Sequence, residues 1–151
     1  MLVMVHSSCA QNIEYGTFLR KKHKYGVVYP DIICHGSEGI VNIEGYSDNY
    51  VGKFHTHPRT SYEESWYDHV SMLQALSEHG TWCECVYGFK ERAIKCTKYH
   101  CTAEEKRVIL KFLPAVQNED MFRVKFAGSI QKLTNKTQVY TIRELEKSAR
   151  R

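Results

Sequence analysis

The chain has 151 residues, with 21 Lys and Arg against 17 Asp and Glu and six cysteines. That length suits one domain able to bury on the order of 70% of its unfolded surface, with little room for a second. The small positive excess is ordinary surface composition and calls for no nucleic-acid partner. No apolar run approaches the roughly 20 residues of a membrane span, and Met1 to Val5 is too short for the hydrophobic region of a signal peptide. A soluble, cytoplasmic protein is expected.

The β-branched and aromatic content of Ile13 to Leu19 and of Tyr25 to Cys34 predicts two strands. With Lys22-His23-Lys24 as the turn, they would form a hairpin. Gly36 to Asn49 is a polar connection around a short candidate strand, Ile40 to Ile43, and Tyr50 to His57 reads as a further strand. Pro58 and the polar run Arg59 to Glu64 end it. An amphipathic pattern then begins at Ser65, with Trp66, Val70, Leu73 and Ser77 on one stripe and Gly80 as a C-terminal stop.

Trp82 to Phe89 and Ala93 to Tyr99 predict two more strands. Thr102-Ala103-Glu104-Glu105 reads as a helix start, with Val108, Ile109, Phe112 and Leu113 as the apolar face before Pro114. Phe122, Val124 and Phe126 alternate with Arg123 and Lys125, the pattern of a half-buried strand. Thr141 to Arg151 looks helical. There is no internal repeat and no low-complexity segment, so one folding unit over residues 1–151 is expected, as a mixed α/β domain with helices packed on a central sheet. The runs Arg20 to Lys24 and Lys147 to Arg151 read as solvated faces, with contact to an acidic partner as the alternative.

The cysteines are expected to be free thiols, since a chain with a real core needs no disulfide framework. Cys83 and Cys85 alternate on a predicted strand, and Cys96 and Cys101 flank Tyr99-His100. A disulfide among them, or a second, structural zinc site, is the alternative.

The stretch from Lys53 to Asp68, KFHTHPRTSYEESWYD, carries the chemistry. His55 and His57 alternate with Thr56 near a strand end, so both imidazoles leave the same face of the backbone. Ser65 and Asp68, three apart at a helix start, share a face as well. Two imidazoles and one carboxylate are three protein ligands. A tetrahedral zinc with three such ligands keeps a fourth position for water, the mark of a catalytic site. A His-x-His pair alone is a weak signal in a chain with eight histidines; the added serine and aspartate sharpen it.

This pattern, His55-Thr56-His57, seven residues, Ser65, two residues, Asp68, resembles the JAMM motif of the MPN-plus metallopeptidases. The resemblance implies that His55, His57 and Asp68 hold Zn2+ and that Ser65 orients water or supports the oxyanion. The family also places a glutamate base upstream. Glu14, in Ile13-Glu14-Tyr15-Gly16-Thr17-Phe18-Leu19, is similar to the Glu-x-Gly-Gly-x-Leu-Leu stretch of small prokaryotic members, with Thr17 in place of a glycine. Glu38 and Glu44 compete for the role, but Glu38 sits in a turn-rich loop.

The resemblance further implies the MPN fold, related to the cytidine deaminases. Many members carry a helix ahead of the glutamate strand; with thirteen residues before Glu14, part of that covering layer is expected to be absent or supplied by a partner. The implied reaction is hydrolysis of a peptide or isopeptide amide, on the C-terminal tail of a ubiquitin-like or sulfur-carrier protein. The alternative is a catalytically inactive scaffold or binding module of the same fold. A nucleotide deaminase would want His-x-Glu and Pro-Cys-x-x-Cys, which Cys83-Glu84-Cys85 does not provide.

Overall fold

The computed structural model describes residues 1–22, 27–30, 33–37, 41 and 50–150, with the backbone alone at 21, 22 and 27–29. Glu38, Glu44, the turn residues His23 and Lys24 and, Val41 aside, the short strand expected at Ile40 to Ile43 lie outside the described residues. The elements run α1 (Leu2–Gln11), β1 (Tyr15–Lys22), β2 (Val27–Pro30), β3 (Cys34–His35), β4 (Tyr50–His57), α2 (Trp66–His79), β5 (Thr81–Gly88), β6 (Ala93–His100), α3 (Ala103–Phe112), α4 (Glu119–Leu133), β7 (Thr134–Thr141) and α5 (Ile142–Ala149). A short 3-10 turn, Leu113–Ala115, follows α3. The protein is therefore α/β.

The strand order is β2-β1-β4-β5-β6-β7, with β3 also paired to β1. The β1–β2 hairpin forms as expected, Leu19 facing Pro30 and Lys22 facing Val27 in antiparallel register. β1 and β4 are antiparallel too. β4 and β5 end side by side, where Phe89 N–H donates to His57 O at 3.2 Å just past both C-termini. That parallel pair, separated by α2, makes the sheet mixed.

The chain divides into two compact units, Met1–Glu63 with Glu84–Cys96 and Gln138–Arg151, and Glu64–Cys83 with Thr97–Thr137. In the first, α1 covers one face of the strands and buries Met4 and Val5, while Leu19, Phe54, Val86 and Ile94 are also buried there. Fully burying such a side chain contributes about 1.5–3 kcal/mol. A covering helix ahead of β1 thus exists, contrary to expectation: the buried Ser8 falls four residues after Met4 and three after Val5, which puts all three on one stripe. α5 returns beside α1, with Ile142 N–H on Arg92 O at 3.0 Å.

The second unit is helical, with α3 and α4 packed on α2. α2 buries Met72, Leu73, Leu76 and Ser77; Trp66 and Val70, expected on the same stripe, are half-buried. α3 buries Ile109, whereas Val108 is exposed. The segment around Phe122, expected to be a strand, is the helix α4. Asn118 caps it through Met121 N–H at 2.9 Å, and Phe122, Phe126 and Leu133 are buried while Val124 is 82% exposed. Burial four residues apart, with the position between them in solvent, is the helical period. The strand β7 was not legible in the sequence.

Cys85 and Cys96, on adjacent strands, form a disulfide with Cα atoms 4.1 Å apart. This corrects the expectation of free thiols for that pair and removes both from a structural zinc site. Cys9, Cys34, Cys83 and Cys101 take no part in that disulfide. Burial pushes the Cys101 thiol up, with the Glu105 charge adding to it. Among the described residues, no helix is long and apolar enough to cross a membrane.

Gly80 ends α2 with φ 79°, its N–H on Leu76 O, and a side chain there would meet no atom within 4 Å. Gly80→Ala should therefore destabilise through conformation alone, by about 1 kcal/mol, read as a lower urea midpoint with unchanged slope.

Candidate metal centre

Register builds the site. Gly16 faces His55, Thr17 faces Phe54 and Phe18 faces Lys53 across β1 and β4, and the same antiparallel count sets Glu14 opposite His57. Alternation then puts Glu14, His55 and His57 on one face, and Thr56 on the other. Gly16, opposite His55, contributes no side chain to that face.

The donor atoms of Glu14, His55 and His57 all lie within 4.8 Å of one another, and Glu14 and His55 are buried. His55 Nε2 and His57 Nε2 are 3.0 Å apart, and Glu14 Oε1 is 3.8 Å from His57 Nε2. Two nitrogens bound about 2.0–2.1 Å from one tetrahedral ion stand roughly 3.3 Å apart, so the imidazole pair already has nearly that spacing. His57 Nδ1 lies 2.8 Å from Ser61 O. A carbonyl only accepts, so Nδ1 carries the proton and, in the neutral ring, Nε2 presents its lone pair toward Glu14 and His55. Backbone-carbonyl support of this kind is the usual partner of a metal-ligating histidine. The three side chains fit a metal ion by donor type, spacing and tautomer.

Glu14 is fixed from both sides of its backbone. Its N–H donates to Ser37 O and its carbonyl accepts from Gly36 N, each at 2.8 Å. Thr56, on the opposite face, ties the flanking residues. Tyr15 N–H donates to Thr56 Oγ1 at 2.9 Å, and Ser8 Oγ donates to Ile13 O at 2.5 Å. With the Ser8 proton so used, Thr56 donates across the 2.7 Å contact to Ser8 Oγ. Helix α1, strand β4 and the residues before and after Glu14 are closed into one buried relay. Farther along the face of the histidines, Lys53 Nζ sits 3.7 Å from the buried Glu84 Oε1, so two opposite charges share that desolvated position.

Ser65 and Asp68 belong to the second unit, where they hold one another. Asp68 N–H donates to Ser65 Oγ at 3.1 Å and Ser65 N–H donates to Asp68 Oδ2 at 3.0 Å, a capping box that starts α2. In the same unit Glu64 accepts from Tyr99 Oη at 2.9 Å and lies 3.4 Å from His69 Nε2. Sequence reasoning found Glu14, His55 and His57, which the structure brings together. It missed Ser8, Thr56 and Ser61 as their supports; the threonine between the two histidines was the one local sign. No family model matches the chain, and no curated protein matches it.

Thr56→Val keeps the shape of the side chain but leaves Tyr15 N–H without its acceptor. The expected cost is about 1–3 kcal/mol in urea unfolding, and Thr56→Ser, which retains the hydroxyl, should recover most of it.

Proposed function

We propose that the protein is a zinc-dependent amide hydrolase of the kind its His-x-His and Ser-x-x-Asp pattern resembles. Its substrate would be the C-terminal tail of a ubiquitin-like or sulfur-carrier protein. The observation that carries this reading is the convergence of Glu14, His55 and His57, within 4.8 Å of one another and largely out of water. His55 and His57 would hold the ion, and the sequence pattern adds Asp68 as the third ligand. Zinc is the choice because imidazole and carboxylate ligands suit it and it needs no redox partner. When bound it supplies Lewis acidity toward the substrate carbonyl and lowers the pKa of water toward neutrality.

The chain's own residues do the rest. Glu14, pinned by Ser37 and Gly36, takes the proton of the attacking water as the new C–O bond forms. It returns that proton to the leaving nitrogen as the C–N bond breaks. One carboxylate thus serves both steps, and its burial raises the strength of each interaction it makes. Ser65, by the sequence pattern, donates to the developing oxyanion.

Metal analysis and a cleavage panel test the reading together, using ubiquitin-like conjugates and tail-extended sulfur-carrier proteins with and without chelator. The wild type should retain about one equivalent of zinc, the stoichiometry of a single mononuclear site. Glu14→Gln should keep the metal and lose activity by at least about a hundredfold; His57→Ala should lose both. Full activity in Glu14→Gln, or a wild type that takes up no zinc when supplied with it, would sink the proposal. Zinc retained with no cleavage of any conjugate would favour the binding module instead.

A further inference from the structure

His57 is supported by a carbonyl, and that carbonyl is one end of a rigid unit. The Ser61–Tyr62 peptide is trans, as are all described peptide bonds, so its C=O and N–H point in opposite directions in one plane. The C=O end meets His57 Nδ1 at 2.8 Å. At the other end, Tyr62 N–H donates to Glu91 Oε1 at 3.0 Å, while Ser61 Oγ donates to Glu91 Oε2 at 2.6 Å. One carboxylate therefore holds both the N–H of this peptide and the side chain on its carbonyl residue.

Glu91 lies in the turn joining β5 to β6, far from the histidines in sequence. The same turn ties down the preceding residues, with Phe89 N–H on His57 O and Lys90 N–H on Thr60 O, each at 3.2 Å. Gly88 makes the approach possible: a side-chain carbon there would collide with Tyr62 N and Glu91 Oε1. Lys95 completes the frame, its Nζ 3.1 Å from Glu63 Oε2 and 5.0 Å from the Tyr62 ring centroid.

We propose that Glu91 is a positioning residue, gripping the Ser61–Tyr62 peptide so that its carbonyl fixes the His57 ring as the Nδ1–H tautomer with Nε2 turned to Glu14 and His55. The inference rests on the reading of those three side chains as a metal centre. Hydrogen bonds in series polarise one another, so the Glu91 charge also strengthens the Ser61 carbonyl as an acceptor. Burial alone would raise the Glu91 carboxyl; the hydrogen bonds from Ser61 and Tyr62, and Lys95 nearby, outweigh it and hold the group below its ordinary value. At neutral pH the grip is made by a carboxylate.

The test uses the full chain and two readouts: the His57 tautomer by long-range 1H–15N correlation in metal-free protein at a pH where the ring is neutral, and the affinity for Zn2+ by competition with a chelator. Wild type should show the Nδ1–H form. Glu91→Ala should shift the ring toward Nε2–H and weaken zinc binding by about tenfold, the low end for loss of an outer partner of a ligand. Gly88→Ala, whose side chain would press on both the Tyr62 backbone nitrogen and the Glu91 carboxylate, should move both readouts the same way. Glu91→Gln, which keeps an oxygen for Tyr62 N–H, should recover most of the Nδ1–H population.

Gly80→Ala, which destabilises through the α2 stop alone and leaves the peptide grip untouched, should keep both readouts at wild type. A mere loss of stability would move them in Gly80→Ala as well. An unchanged tautomer and affinity in Glu91→Ala would overturn the proposal, and if that variant does not fold, Glu91→Asp, which draws the carboxylate back by one methylene, decides it on the same terms. A wild type that binds no Zn2+ would refute the metal reading, while the tautomer shift alone would still decide the role of Glu91.

Discussion

The antiparallel register of β1 against β4 is the constraint on which the candidate centre depends. Because side chains alternate with a period of two, one register places Glu14 and both histidines on a common face, and a slip by one residue would send Glu14 to the face of Thr56. Register is held most firmly where both faces have something to lose. Here one face carries Thr56, bonded to Ser8 of α1 with both buried, so a slipped strand would leave polar atoms unpaired beneath α1. The other face would lose the convergence of three donors.

The division of labour between the two faces has a physical logic. Buried hydroxyls close their hydrogen bonds within the protein, Tyr15 to Thr56 to Ser8 to Ile13, and so satisfy one another under the helix. The opposite face gathers two imidazole nitrogens 3.0 Å apart with a carboxylate 3.8 Å away. Two lone pairs that close repel unless a proton or a cation lies between them. One proton between them fills that role; a divalent cation does so with more charge and more ligands. Support on one face holds the donors on the other in register.

Much of the fold was legible where local chemistry decides conformation. The start and stop of α2 follow from Ser65 and Gly80, and the start of α3 from Thr102 with Glu105; these residues act on their own backbone within one turn. The Tyr50–His57 strand was equally plain. The misreading at Phe122, Val124 and Phe126 has a definite cause, since a short apolar run satisfies both periods and only burial over a longer span chooses. Phe126 and Leu133 supply that span. β7 is exposed almost throughout, so its sequence carries no buried alternation to read. The Cys85–Cys96 pairing depends on strand adjacency, and spacing does not encode it. Glu91 was invisible for a similar reason: its partners, Ser61 and Tyr62, come from another strand connection.

The sequence motif and the geometry do not weigh equally in the functional reading. Ser-x-x-Asp ahead of an amphipathic run is also a helix-capping box, and Ser65 and Asp68 make both of its reciprocal hydrogen bonds. That half of the motif therefore has a sufficient structural cause with no metal involved. His-x-His on a strand is common as well. The pairing of Glu14 with His57 is different in kind, because local propensity neither requires it nor explains it. Burying a carboxylate beside two imidazoles costs desolvation that an apolar trio would avoid, and the Ser61 carbonyl on Nδ1 leaves the neutral His57 ring with its Nε2 lone pair facing the cluster. A cluster that is costly to bury, register-dependent and tautomer-specific is what a cation site demands, and its weight comes from the fold rather than from the motif.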